Sequence, residues 1–178
     1  MLRPHAPLLL VLSLLVLGGC EAAADLLGIP VDPAGGSGPS GGSGQAMSAG
    51  ERAWAMQVLG IVNQERQNAG LNALAWDEEA AQAAYDHCVD MDVRGFFAHD
   101  NPDGQIPGQR MTAAGVSWST WGENIARGQP NPAAVMNAWM NSSGHRANIL
   151  YPAFTHLGVG VHDSSGGPWW TQDFFAPR

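Results

Sequence analysis

The chain has 178 residues, 16 acidic against 8 basic, a net charge of −8 and no lysine. Its arginines are scattered with no basic run or patch, which excludes a phosphate-tracking surface, so nucleic acid is not an expected partner. Composition shifts along the chain, and only the part from about Met47 onward reads as a folded domain, of roughly 130 residues, long enough to bury a core without staples.

The first five residues carry one Arg, and Leu8 to Leu17 is an apolar run of about ten residues, the length of a signal-peptide core and too short to span a membrane. It ends in Leu17-Gly18-Gly19-Cys20. This resembles the bacterial lipoprotein signal, in which small residues admit the peptidase and the acceptor Cys takes a thioether-linked lipid. Residues 1–20 are therefore expected to be the signal peptide and Cys20 the lipidation site. Cys88 is the one other cysteine, so no intrachain disulfide is expected and Cys88 should be a small buried residue.

Residues 21–47 contain Gly35-Gly36-Ser37-Gly38-Pro39-Ser40-Gly41-Gly42-Ser43-Gly44 and should act as a flexible tether, since this composition buries too little apolar surface to repay its ordering entropy. The domain, 48–178, opens on a capping box, Ser48-Ala49-Gly50-Glu51. Met56, Leu59, Val62 and Arg66 recur behind it at helical spacing, and the helix should stop near Gly70. Asp77 is a second N-cap candidate, followed by an Ala-rich helix to Arg94 with Ala80, Ala84, Cys88 and Met91 on one stripe, closed by Gly95. Phe96 to Gly108 reads as a loop around the turn Asn101-Pro102-Asp103-Gly104. A short helix is predicted from Pro107 to Ala114, a strand over Val116 to Ala126 interrupted at Gly122, and a further helix from Asn131-Pro132. Thr155–His162 and Trp169–Phe175 read as a hairpin joined through Ser164-Ser165-Gly166-Gly167. Helices first and an antiparallel pair last predict α+β layers.

Two histidines stand in unusual company. His99 follows Phe96-Phe97-Ala98 just before the tight turn, and His145 lies in Ser143-Gly144-His145-Arg146-Ala147-Asn148. Between them is Gly122-Glu123-Asn124. Two His and a Glu suit a divalent metal with an open position, hydrogen bonding to a ligand, or general acid–base work, and sequence spacing leaves these alternatives open. Trp118 and Trp121 are candidates for a cleft wall. Arg146 and Asn148 are read as structural, the first to fork to a carboxylate and the second to bond backbone.

Asn63-Gln64-Glu65-Arg66, Leu74-Ala75-Trp76-Asp77, the segment around His99, Gly122-Glu123-Asn124-Ile125-Ala126, His145-Arg146-Ala147-Asn148-Ile149-Leu150, Gly158-Val159-Gly160-Val161 and Trp170-Thr171-Gln172-Asp173-Phe174 follow one another in a single order. That order resembles the CAP/SCP family (cysteine-rich secretory proteins, antigen 5, pathogenesis-related 1) in its bacterial branch, from about Val58 to Phe175. The resemblance implies a three-layer α-β-α sandwich with a central antiparallel sheet, and a cleft lined by two His and two Glu that binds divalent metal in some members. Carried over, the metal positions are His99, Glu123 and His145. The second Glu lies three residues after a helix Trp, which here is Trp139, so Ser142 stands in its place. That departure removes a charge and a ligand, and Ser is a poor metal ligand at neutral pH.

The leading functional reading is an exported, lipid-anchored binding module at the cell envelope, non-enzymatic and taking a lipid, small ligand or protein partner in the cleft. It would be a membrane-anchored monomer, requiring no cofactor but with room for a divalent metal such as zinc. One alternative is a metal-dependent hydrolase using His99, Glu123 and His145 around a zinc-bound water. The other is a purely structural envelope protein with a vestigial cleft.

Overall fold

A computed structural model describes residues 45–178; the expected signal peptide, Cys20 and the expected tether up to residue 44 lie outside the described residues. The described elements are α1 (Ala49–Asn68), β1 (Ala75–Trp76), α2 (Glu78–Arg94), α3 (Pro107–Ala113), β2 (Trp118–Arg127), α4 (Pro132–Met140), α5 (Ser143–Ile149), β3 (His156–Ser164) and β4 (Gly167–Pro177).

Local signals fix most helix ends. The Ser48 hydroxyl accepts from the Glu51 N–H while Glu51 accepts from the Ser48 N–H at 2.7 Å, closing the capping box of α1. Asp77 accepts from the Ala80 N–H at 2.8 Å, and Gly95 takes the left-handed conformation (φ 69°) that ends α2. Asn131 caps α4 through the Ala134 N–H, with Pro132 at the first helical position. The buried stripe of α1 is Ala55, Val58, Val62 and Arg66. Met56, expected on that stripe, is 43% exposed. The short α5 was not expected; its Ser142 cap makes no side-chain hydrogen bond, so no capping signal announces it.

The sheet order is β1-β3-β4-β2. β3, β4 and β2 pair antiparallel, as the resemblance implied, while the two-residue β1 adds a parallel edge to β3 that makes the sheet mixed. β2 runs unbroken through Gly122, where an interruption was expected. There a Cβ would lie 3.0 Å from the Phe154 ring and 3.1 Å from Asn148 Oδ1, so glycine makes room for α5-side groups and leaves the strand continuous.

Alternation along the strands builds three layers. Leu157, Val159, Val161, Trp170 and Phe174 pack with Val58, Val62, Met136, Trp139 and Ile149, from the α1, α4 and α5 layer. Ile125, Trp169 and Phe175 turn the other way, onto residues of α2 and α3. Trp169, Trp170 and Phe174 are therefore all buried, because helices cover both faces of the sheet. Gly158 and Gly160 let α2 approach β3 closely: a Cβ at either would come within 2.2 Å of the backbone at Ala80–Ala81 or Ala84–Tyr85. Cys88, fully buried on the sheet-facing side of α2 and unpaired, lies 3.2 Å from Thr171 Oγ1, and burial pushes its thiol far above the ordinary range. No helix of the described residues is long and apolar enough to cross a membrane.

Candidate functional site

The site forms where β2 lies at the sheet edge. Consecutive residues of a strand point to opposite faces, so Glu123 and its neighbour Asn124 serve different layers. Glu123 turns toward the His99 loop and α3. Its Oε1 accepts from His99 Nδ1–H at 2.7 Å, and its Oε2 accepts from the Arg110 guanidinium. The Glu123 side chain is 1% exposed and that of His99 51%, so a buried carboxylate orients a half-open imidazole. This hydrogen bond holds the His99 ring above the ordinary imidazole range.

Two further residues brace His99, and sequence reasoning had assigned neither to the site. Arg110 Nη1 donates to the His99 carbonyl at 2.8 Å and to that of Gln105 at 3.0 Å. His87, buried on α2, donates from Nε2 to the Ala98 carbonyl at 3.0 Å. Burial pushes the His87 ring down to about 4, so it is neutral at pH 7 with Nδ1 a bare acceptor. The turn beyond is held as predicted: Asn101 O accepts from the Gly104 N–H at 2.8 Å, with Gly104 at φ 78°.

Asp173 is the largest addition. It pairs with Glu123 in the β2–β4 register and with Gly158 in the β3–β4 register, and it is completely buried. As a carboxylate it would have no hydrogen-bond partner at either oxygen. Burial first, then the charge of Glu123, hold its carboxyl well above the usual carboxylate range. Burial beside Glu123 therefore biases Asp173 toward its protonated form, whose proton can be donated toward Glu123.

Asn124 faces the other layer. Its amide donates to the His145 carbonyl at 3.1 Å and to Gln172 Oε1 at 3.0 Å, and its oxygen accepts from Asn148 at 2.9 Å. Asn148 also donates to the Glu123 carbonyl at 3.1 Å, the backbone role expected of it. Arg146 is exposed and enters no ion pair among the described residues, where a fork to a carboxylate was expected. His145, on α5, is held below the ordinary imidazole range by burial and by the nearby charge of His99. His99 and Glu123 thus meet directly, while His145 stands within electrostatic reach of His99. Trp118 and Trp121 cross edge to face around Gly108, where a Cβ would come 2.6 Å from Trp121 Nε1, and they pack with α3.

The donor set does not fit a preformed divalent-metal centre. Both oxygens of Glu123 are engaged, one by a permanently charged guanidinium, and among the described residues no three His, Cys, Asp or Glu are grouped as ligands. Ser142 sits at the start of α5, half-buried, and adds no carboxylate.

An α-β-α sandwich carrying a loop His on an edge-strand Glu is a domain of the SCP type. The chain belongs to the CAP, or cysteine-rich secretory protein, family, whose description matches residues 59–174. It is 45% identical over 122 residues to the uncharacterized protein YkwD of Bacillus subtilis, spanning 68% of this chain and 47% of that protein. It is 35% identical over 118 residues to the uncharacterized membrane protein YlbC of the same organism, spanning 66% and 33%. The chain thus spans less than half the length of these curated relatives. Among solved structures, an extracellular SCP-domain protein of Bacillus anthracis is 34% identical with a TM-score of 0.67, covering 74% of this chain and 44% of that one. An outer surface protein of Borrelia burgdorferi shares the fold at 19% identity and TM-score 0.65, covering 69% and 92%.

Proposed function

We propose that this protein is a non-enzymatic binding module displayed outside the cytoplasm on a lipid anchor at Cys20, and that it recognises a lipid, small molecule or protein partner through hydrogen bonds at His99 and His145. The observation that carries this reading is the saturation of Glu123. A hydrolase that used Glu123 as its base would need a carboxylate oxygen free to meet an attacking water. Here the Glu123 oxygens are engaged by His99 and Arg110, and burial biases the neighbouring Asp173 toward its protonated form. Such a network sets the ring of His99 firmly and leaves it half-exposed, which suits recognition. The extracellular description of the B. anthracis relative supports export, as does the Leu17–Cys20 segment.

Calorimetry with zinc chloride tests the site. The expected result is no one-to-one binding at micromolar or tighter affinity. Such binding, lost in His99→Ala/His145→Ala, would replace this reading with a metal-centred one and reopen the hydrolase. Native mass spectrometry of protein isolated from its own envelope should find a co-purifying species that the same double variant loses. Retention of that species by the variant would move recognition elsewhere. For the anchor, Cys20→Ser should release the protein from the membrane fraction, and continued membrane partition of that variant would sink lipidation.

A further inference from the structure

Phe97 and Arg127 are both exposed, and both rest on one buried indole. Trp169 is 1% exposed, and its Nε1 donates to Asp92 on α2 at 2.9 Å, which pins the ring. The Phe97 ring lies 6.3 Å from it, centre to centre, and the Arg127 guanidinium sits over it at 4.1 Å. Phe97 is 52% exposed although the chain on both sides of it is held. Phe96 packs with Cys88, Met91 and Ile125, and its N–H donates to the Met91 carbonyl at 3.0 Å. The Ala98 carbonyl is taken by His87 at 3.0 Å. A fixed stretch of loop thus presents an aromatic ring to solvent.

The cation beside it is equally open. The chain has 16 acidic residues against 8 basic, and Arg52, Arg94 and Arg110 are all in ion pairs. Arg127, at the end of β2, enters no ion pair and no side-chain hydrogen bond among the described residues. Held over the indole, its guanidinium keeps every N–H available, ready to fork to a carboxylate. Small-molecule sites are recessed, whereas open aromatic rings and arginines enrich protein interfaces. Neither Phe97 nor Arg127 lines the concavity of about 940 Å³ between α2 and α3, or that of about 280 Å³ at the start of α1.

We propose that Phe97, Trp169 and Arg127 form a docking surface for a protein partner that presents an extended segment with an apolar ring and, two residues on, a carboxylate. Residues two apart on such a segment share a side, roughly 7 Å from one another. The partner's ring covers Phe97 and its carboxylate meets the unpaired guanidinium. This surface uses neither His99 nor His145 and does not rest on the ligand reading there.

The test is a calorimetric titration of the full chain with the peptide acetyl-Ser-Phe-Ser-Glu-Ser-amide, beside versions with Lys for Glu and with Ala for Phe. The parent peptide should bind one-to-one and weaken as salt rises, since exposed charges are screened. Arg127→Gln and Phe97→Ala should each weaken it at least about tenfold with an unchanged circular dichroism spectrum. His145→Ala should leave it unchanged, which separates failure here from failure of the site above. Absent binding, equal binding of the Lys version, or indifference to Arg127→Gln would overturn the proposal. Equal binding of the Ala version would overturn the pairing of ring with carboxylate, and loss of binding in His145→Ala would move the peptide to the other site.

Discussion

Replacing Gly158 by Ala places a methyl group 2.2 Å from the backbone carbon of Ala80 and the backbone nitrogen of Ala81, and 2.7 Å from the Ala80 methyl. A comfortable carbon contact is about 3.5 Å, so α2 and β3 must part by roughly 1.3 Å. No rotamer change relieves this, because the opposing atoms are backbone and an alanine. Overpacking of this kind costs about 1–3 kcal/mol, and a backbone clash belongs at the top of that range. The lower chain entropy of unfolded Ala offsets about 0.4–1 kcal/mol, leaving a loss of about 2–3 kcal/mol. Urea denaturation followed by circular dichroism measures it directly, and Gly60→Ala is the control. Gly60 lies exposed within α1 with no neighbour within 4 Å among the described residues, so that change should stabilise by about 0.5–1 kcal/mol. If Gly158→Ala shifted the midpoint by less than about 0.5 kcal/mol with an unchanged slope, the close helix–strand approach would be refuted as a feature of the solution structure.

Other consequences are open to the same methods. Arg66 donates to the carbonyls of Asn72, Ile149, Tyr151 and Phe154, so Arg66→Met should cost roughly 3–5 kcal/mol by stranding buried acceptors, and a loss under about 1 kcal/mol would show that the carbonyls find other donors. The His87 ring is lowered on folding from 6.5 to about 4, so its contribution is complete above about pH 6.5 and fades as pH falls toward 4, by on the order of 3 kcal/mol. His87→Gln, which keeps a donor for Ala98 O, should flatten that acid limb, and an unchanged slope in denaturation between pH 6.5 and 4 would refute the assignment. Asp173 titrates the other way. Its raised carboxyl favours the fold fully below the unfolded value near 3.8, and this advantage is lost as pH rises. Asp173→Asn should therefore be at least as stable as the parent at pH 7, and marked destabilisation there would mean that Asp173 is needed as an anion.

What the chain discloses on its own divides by distance along it. Ser48 with Glu51, Asp77 with Ala80, and Asn131 with Ala134 are contacts three residues apart, so the caps are visible in the order of residues. The family words brought out His99, Glu123 and the three-layer sandwich, and the comparisons uphold the family and the fold. Arg66 escaped as a structural centre because its partners lie 83 to 88 residues away, except for Asn72. It stood on an apolar stripe and gave no sign that four carbonyls would converge on it. Asp173 escaped for a related reason. Its role depends on the strand register that sets it opposite Glu123, and register is fixed by packing between distant segments. Arg110 and His87 act through backbone carbonyls, which carry no residue-type signature at all.

β2 is the outer strand of the sheet on the side away from β1, and an outer strand offers its spare carbonyls to any chain that passes. Here two of them are already spoken for: Asn148 donates to the carbonyl of Glu123, and Trp139 Nε1 donates to that of Ile125 at 3.3 Å. The α4–α5 layer thus acts as a bumper along the sheet's open margin. Were the protein held by one end on a crowded surface, as proposed, neighbours would meet flank to flank at high local density. A margin blunted by its own side chains would let such copies collide without zipping into a continuous sheet, so the groups that frame the candidate site also blunt the sheet's edge.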